Sequence, residues 1–186
     1  MKNVAIIALA IACLCACSGP NSTGSTTGAS PDSAVVIQQV NEIYEKVIEY
    51  YDRTGGSQAV APDALSLTGT LDSLYCTQDW NSCVARVNAY DASHNDGMMG
   101  FFDADYWIMG QDWKDLSVSD VRLVSMTDST ATVELNLHNC GHVTAVRLAM
   151  AYNQGEWRID NFIDATSGYD WKAGMKEYLV NNQNKQ

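Results

Sequence analysis

The fold is decided by residues 121–164, which read VRLVSMTDSTATVELNLHNCGHVTAVRLAMAYNQGEWRIDNFID. Over most of this stretch apolar and polar residues alternate with a period of two, which is typical of strands that bury one face. Short turn sequences separate the alternating runs: TDST at 127–130, NCGH at 139–142 and NQGE at 153–156. Turns of this length connect antiparallel neighbours. We therefore predict a four-stranded antiparallel meander.

One phase of this meander is predicted to face a core. Its last strand places Asn161 and Ile163 in the same phase as Trp157, so that Asn161 is the one polar residue in an apolar lining. An Asp or His facing inward would be needed for general acid–base chemistry, and this phase offers none. The apolar members are Val133, Leu135, Leu137, Val146, Leu148, Met150, Trp157 and Ile159.

Apolar residues recur at helical spacing both before and after the meander. The first helix is predicted to begin at residues 32–33 and to end before the glycines at 55–56. The second follows Pro62 and breaks near Thr77, and a closing helix begins at Asp170. Helices first and a meander after predict an α+β domain with the helices on one sheet face.

Between the helices and the meander lies the segment FFDADYWIMGQDW at 101–113, with five aromatic residues in thirteen. Side chains of this size bury enough area to anchor a loop, and aspartates readily accept hydrogen bonds from turn amides. We therefore expect a structural loop. A ligand-contacting rim and a site for a hard cation stay open as alternatives. The possible rim residues are Asp103, Asp105, Trp107, Asp112 and Trp113.

The N-terminus has the features of an export signal. A short basic region precedes the apolar run VAIIALAIACL, which is too short to span a bilayer. Leu14-Cys15-Ala16-Cys17 resembles the bacterial lipobox, which implies acylation of Cys17. We predict a lipoprotein signal peptide over 1–16, a lipidated Cys17 with a flexible tether over 17–31, and a single domain over 32–186. Ser18, in place of an Asp, favours the outer membrane, with the domain facing the periplasm and surface exposure left open.

The envelope is an oxidising compartment, so the cysteines that stay with the domain are disulfide candidates. We predict one disulfide among Cys76, Cys83 and Cys140, with one thiol left over. A bond between the first two requires a helix break near Thr77. His138 and His142 flank Cys140, but a closed structural zinc site takes four ligands. We therefore predict no metal and no cofactor.

Charge restricts the partners. The chain has 22 acidic and 11 basic residues, a formal net charge of −11, which repels the phosphates of nucleic acids. We expect no nucleic-acid partner. The expected partners are the membrane, through the N-terminal lipid, and either an envelope protein or a small apolar ligand.

The order of helices, aromatic-acidic loop and meander carries a family resemblance, together with DADYW at 103–107, GQDW at 110–113 and GEWRID at 155–160. It resembles an uncharacterised domain-of-unknown-function family of bacterial envelope lipoproteins, over about residues 35–165. The resemblance implies a nuclear-transport-factor-2-like (cystatin-like) cone and an envelope address. It brings no established activity and no catalytic residues.

The function expected from these observations is that of a non-enzymatic envelope lipoprotein, a binding or interaction module. One alternative is a cone-fold enzyme that uses the loop carboxylates Asp103, Asp105 or Asp112. Another is an immunity-like inhibitor whose acidic surface blocks a basic partner. The apolar inward phase of the meander favours the first reading over the enzyme.

Overall fold

Helices cover one face of a five-stranded antiparallel sheet in the computed structural model, which describes residues 33–54, 71–94 and 100–183. The α+β class is confirmed, and the strands follow one another in chain order across the sheet. The sheet has one strand more than predicted, the short β5. The elements are α1 (Ser33–Thr54), α2 (Gln78–His94), β1 (Ser117–Met126), β2 (Thr130–Asn139), β3 (His142–Asn153), β4 (Glu156–Asp164), β5 (Tyr169–Asp170) and α3 (Trp171–Gln183).

Several predicted features lie outside the described residues. These are the signal peptide over 1–16, Cys17 with its tether, and the start of the second helix after Pro62. Residues 71–75 are helical and belong to that predicted second helix. Within the described ranges, no helix is long and apolar enough to cross a membrane.

Two of the hairpin turns have the backbone geometry that suits tight antiparallel connections. The central residues of the β2–β3 turn, Cys140 and Gly141, have φ of 52° and 77°. Those of the β3–β4 turn, Gln154 and Gly155, have φ of 53° and 91°. Positive φ at both central positions is the type I′ arrangement, whose twist matches that of the flanking strands. The predicted turns at NCGH and NQGE are therefore confirmed.

The core lies between the sheet and the helices. All eight apolar residues predicted to face inward are buried. From the other side, α1 contributes Val36, Val40, Tyr44 and Val47, which share one helical face and are fully buried. The predicted burial phase is thus confirmed as far as Ile159.

Strand β4 departs from the predicted alternation at Asp160. Met150 of β3 pairs with Ile159, but Ala149, the preceding residue of β3, pairs with Asn161. Asp160 is therefore an extra residue, a β-bulge. A one-residue insertion moves every following side chain to the opposite face.

Because of the bulge, the prediction that Ile163 faces the core is wrong. Phe162 is fully buried, whereas Ile163 lies on the other face and is half-buried. The bulged Asp160 is held by polar partners, since Thr77 Oγ1 donates to its carboxylate at 2.6 Å and Lys172 Nζ at 2.7 Å. Both partners are distant in sequence, so alternation within the strand gave no sign of the insertion.

The edge of β4 that β5 leaves uncovered is closed by other groups. The Gln39 side chain donates from Nε2 to the Trp157 carbonyl at 2.7 Å and accepts from the Trp157 amide at 3.3 Å. Farther along, Cys76 forms a parallel bridge with Ile159, and the Thr77 amide donates to the Ile159 carbonyl at 2.9 Å. The predicted helix break near Thr77 is confirmed, because the chain is extended there to pair with the sheet.

The predicted disulfide is absent from the structure. Cys76, Cys83 and Cys140 are free thiols, the first two buried and the third exposed. Cys76 Sγ faces the carboxylate of Asp72 at 3.9 Å, and Cys140 lies at the tip of the β2–β3 turn. The prediction of one disulfide among these three cysteines is therefore not confirmed.

The closing helix begins where predicted. Asp170 Oδ1 accepts a hydrogen bond from the Ala173 amide at 2.8 Å, the geometry of an N-cap. Asn161 donates from Nδ2 to the same oxygen at 2.8 Å and accepts from the Lys172 amide at 3.1 Å. The one polar residue of the predicted lining thus joins β4 to the start of α3.

The bulge predicts unequal costs for two neighbouring substitutions. Phe162→Ala should lower the free energy of unfolding by about 3–5 kcal/mol, because it empties a fully buried site. Ile163→Ala should cost about 1 kcal/mol, because that side chain is only half-buried. Urea unfolding of the two variants measures both values, and equal costs would contradict the shifted phase.

Candidate functional site

The five predicted rim residues do not form one surface. Trp107 is fully buried and Asp105 half-buried, and both belong to the interior. Asp103 and Asp112 are exposed, while Trp113 is half-buried. The loop therefore divides its side chains between the core and two separate parts of the surface.

The interior contains a fully enclosed carboxylate, Asp72, which is 1% exposed. Tyr106 donates its hydroxyl to Oδ2 at 2.5 Å, and Trp80 donates Nε1 to the same oxygen at 3.2 Å. Trp107 donates Nε1 to Oδ1 at 2.8 Å, and the Cys76 thiol lies 3.9 Å from that oxygen. We call these five residues the Asp72 cluster.

The electrostatics of the Asp72 cluster favour retention of protons. Burial raises the pKa of Asp72, although the hydrogen bonds from its partners oppose that rise. Burial and the neighbouring carboxylate also raise the pKa values of the Cys76 thiol and the Tyr106 hydroxyl well above their usual range. Cys76 is therefore a hydrogen-bond donor here and lacks the thiolate character of a nucleophile.

A second interior carboxylate, Asp105, lies in the aromatic loop. Tyr51 of α1 donates its hydroxyl to Oδ2, and the Trp107 amide donates to Oδ1 at 2.8 Å. The backbones of Asp105 and Gly110 exchange two hydrogen bonds, at 2.9 and 3.2 Å, which close the loop around this carboxylate. Burial raises the pKa of Asp105 to about 6. A carboxyl group titrating in this range is suited to general base chemistry if a substrate reaches it.

Three grooves on the described surface have volumes of about 450, 590 and 870 Å³, and neither interior carboxylate, Asp72 or Asp105, lines any of these three. Both are instead held by hydrogen-bond donors, which are side chains at Asp72 and the Tyr51 hydroxyl and Trp107 amide at Asp105. Their arrangement supports a structural role, in which the two carboxylates attach the aromatic loop to α1 and to the helical segment 71–75.

The largest of the three grooves presents aromatic rings and carboxylates to solvent. It lies between the start of the aromatic loop, β5 and α3, with a volume of about 870 Å³. We call it the aromatic groove. It is lined by Phe101, Asp103, Asp164, Tyr169, Trp171 and Tyr178, among others.

Asp91 of α2 holds two walls of the aromatic groove in place. Its Oδ2 accepts from the Phe101 amide at 2.8 Å, and its Oδ1 accepts from the Tyr178 hydroxyl at 2.6 Å. One carboxylate thus joins the end of α2 to both the aromatic loop and the closing helix. The rings of Phe101 and Tyr178 consequently lie 5.2 Å apart, centroid to centroid.

Gly174 of α3 allows Tyr169 to lie against the helix. A Cβ atom at position 174 would lie 2.6 Å from the Tyr169 hydroxyl oxygen and 3.4 Å from Phe101 Cζ. Tyr169 also packs edge-on against Trp171, with ring centroids 5.2 Å apart. The absence of a side chain on Gly174 therefore leaves room for the Tyr169 ring against α3.

The aromatic groove is acidic. Asp103 is exposed, and hydrogen bonds from Ser167 and Thr166 outweigh burial and hold the pKa of Asp164 below its usual value. The pKa of the Tyr169 hydroxyl is raised by burial and by the nearby charges of Asp103, Glu177 and Asp170. The groove therefore keeps negative charge at neutral pH beside its aromatic walls.

Metal-binding residue types do not converge in the described ranges, where no group of three or more His, Cys, Asp or Glu side chains could hold an ion. His138 Nε2 lies 2.8 Å from the Ser119 hydroxyl across the β1–β2 pair. Cys140 Sγ lies 3.8 Å from the carbonyl oxygen of Asp112. The hairpin tip is thus engaged in local contacts.

Comparisons of this chain with protein-family models, with curated proteins and with solved structures found no match. The family resemblance inferred from the loop and hairpin motifs stays a prediction. The function must therefore be argued from the two sites themselves.

Sequence reasoning missed both the Asp72 cluster and the aromatic groove. Asp72 occurs in an ordinary helical run, and only tertiary packing surrounds it with donors. Trp171 lies at the start of the closing helix predicted from the sequence, and Tyr169 precedes that helix. Their proximity to Phe101 depends on how α3 packs against the loop.

The Asp72 cluster predicts a large effect on stability. Asp72→Ala should lower the free energy of unfolding by about 4 kcal/mol or more, because it leaves four buried donors, the Cys76 thiol among them, without an acceptor. Tyr106→Phe, which removes one donor, should cost about 1.5–3 kcal/mol. Asp52→Ala, at an exposed position of α1, is the matched control and should change stability by less than about 0.5 kcal/mol. Urea unfolding decides, and a mild Asp72→Ala variant would contradict the role of this carboxylate.

Asp105 predicts a pH dependence of known sign. Its pKa is about 6 in the folded chain, against a usual value of 3.8, so the folded state binds the proton more tightly. Its contribution to the free energy of unfolding therefore falls as pH rises through this interval. Relative to Asp105→Asn, the wild type should lose about 1–3 kcal/mol between pH 4 and pH 7. Unfolding curves across this range test it, and a constant or rising difference would show that burial does not govern this group.

Proposed function

We propose that this chain is a non-enzymatic binding module of the bacterial cell envelope. The observation that carries the proposal is that the interior carboxylates differ in their surroundings from the carboxylates at the surface. The carboxylates with raised pKa values, Asp72 and Asp105, are held by donors inside the fold, while the aromatic groove presents rings and ionised carboxylates to solvent. Such a surface suits binding better than proton transfer.

The fold we propose is a nuclear-transport-factor-2-like cone. Support comes from a sheet covered by helices on one face and from irregular pairing within β1 and at Asp160 in β4. Bulges of this kind bend a strand and increase its twist, as a cone requires. In this chain the interior of the cone is filled by the aromatic loop, with Trp107 fully buried.

The enzyme alternative receives less support from the positions of its three candidate carboxylates. Asp103 lines the aromatic groove, whereas Asp105 and Asp112 line none of the three grooves described above. A general acid or base must come within hydrogen-bond reach of the substrate. The proposal therefore assigns binding to Asp103 and structural roles to the other two.

The envelope address rests on Cys17 and the uncharged tether behind it. We propose that lipid at Cys17 anchors the chain in the outer membrane, with the domain on the periplasmic side. The domain would then meet envelope proteins more readily than solutes in the bulk phase.

The proposed lipid anchor predicts the N-terminal residue of the mature chain. Mass spectrometry of the N-terminal peptide from the purified envelope protein should find acylated Cys17 as its first residue. Cys17→Ala should leave the precursor unprocessed. An unlipidated start at Ser18 or later would contradict the anchor.

The binding function predicts contact at the groove in living cells. A photo-crosslinking residue in place of Ser167, an exposed residue of the groove, should give an adduct of one reproducible mass. The same replacement at Ser125, an exposed serine of β1 away from the groove, is the matched control and should give none. No adduct from Ser167, or equal adducts from both positions, would contradict a binding role for this face.

A further inference from the structure

We propose that the aromatic groove takes the guanidinium group of an arginine side chain presented by a protein partner. The inference rests on the proposed function and names the chemistry that the groove recognises. It is carried by the aromatic walls, the carboxylates beside them and an unpartnered indole group.

Aromatic rings form the walls of the groove, and Tyr169, 44% exposed, is more open than Trp171, which is 6% exposed. Phe101, Tyr169, Trp171 and Tyr178 contribute rings within a short distance of one another, the Tyr169–Trp171 centroids being 5.2 Å apart. A cation near the face of such a ring is attracted by its quadrupole. The planar guanidinium group also stacks on aromatic rings, which the ammonium group of lysine does not.

The charge of the groove complements a cation. Asp103 is exposed and has no ion-pair partner among the described residues, and Asp164 is held in its ionised form. None of the residues that line the groove is a lysine or an arginine. An arriving guanidinium group would therefore meet carboxylates with no competing cation in the wall.

An unsatisfied donor points to a peptide rather than a bare cation. The Nε1–H group of Trp171 is buried and has no hydrogen-bond partner in the described part of the chain. A buried donor of this kind costs free energy until an acceptor arrives. Because the Nε1 atom has almost no accessible surface in the free chain, the Trp171 ring must shift before an acceptor can reach it. A protein segment supplies main-chain carbonyl acceptors for this purpose, whereas a metal ion or a polyamine supplies none.

The shape of the groove also fits a side chain presented from a surface. Its volume of about 870 Å³ lies within the range of small-molecule sites, but it is open to solvent, whereas such sites enclose most of their ligand. When a partner presents an arginine, the partner's own surface covers the open side of the groove. We therefore assign the groove to a protein partner.

The test uses the full chain in nonionic detergent, labelled with 5-fluorotryptophan, so that each of the five tryptophans gives a ¹⁹F signal. The probe is a nonapeptide of glycine and serine with one central arginine, and its counterparts carry citrulline or lysine at that position. The arginine peptide should move the Trp171 signal saturably, and added salt should weaken the effect. The Trp157 signal is the internal control, since that indole also lacks a described partner but lines a different groove. It should stay in place.

Two aspartates of the same loop provide matched variants. Asp103→Asn should weaken binding of the arginine peptide by about threefold or more and leave the citrulline peptide unaffected, because only the charged contact is lost. Asp112→Asn, at an exposed position outside the groove, should leave both unchanged. Both sites are exposed, so the fold should be preserved in each variant.

Equal binding of the arginine and citrulline peptides would overturn recognition of a cation, and equal binding of the lysine peptide would overturn the preference for guanidinium. No movement of the Trp171 signal at about 10 mM arginine peptide would overturn the inference altogether. In each case an adduct from Ser167 in cells would still support the broader binding function. Loss of that adduct as well would remove both.

Discussion

The burial of one carboxylate, Asp72, is the constraint on which the rest of the structure depends. Its oxygens accept from Trp80 of α2 and from Tyr106 and Trp107 of the aromatic loop, so three parts of the chain meet at one charge. The loop contains no helix or long strand of its own, and these hydrogen bonds give it a fixed position against the helices. A buried carboxylate without such donors would be unfavourable, and the donors without the carboxylate would be equally so. The buried carboxylate therefore requires its donors, and the donors require the carboxylate.

The aromatic residues form one network that extends from the interior to the surface, because Trp171 packs against both Tyr106 and Phe101, with ring centroids 5.8 and 6.3 Å apart. Trp80, Trp107 and Phe162 form a packed interior, with Phe162 within 4.9 Å of both tryptophans by ring centroid. Phe101, Tyr169 and Tyr178 form the part of this network near the surface, which Asp91 and Gly174 hold in position. The interior part stabilises the fold and the surface part is available to a partner. The proposed function follows from where the carboxylates lie. Asp72 and Asp105 line none of the three grooves described above, whereas Asp103 and Asp164 line the aromatic groove.

Local sequence patterns predicted the parts of the fold that local forces determine. Alternation in β2 and β3 predicted which side chains are buried, and the N-cap at Asp170 predicted the start of the closing helix. The bulge at Asp160 was missed because its partners, Thr77 and Lys172, come from other elements. Asp72 and the aromatic groove were missed for the same reason, as both exist only after distant segments pack together. The candidate rim residues came from a single loop, and the loop turned out to divide them between the interior and the surface.

The covered edge of β4 has a consequence for the membrane anchor that we propose. Anchored molecules diffuse in two dimensions and meet one another far more often than free ones do. An unpaired strand edge under such crowding is a template for association between copies. The Gln39 side chain pairs with the amide and carbonyl of Trp157, and the Thr77 amide pairs with the carbonyl of Ile159, all within the same chain. Because these backbone groups are already paired, the anchored chains that we propose would not associate through them.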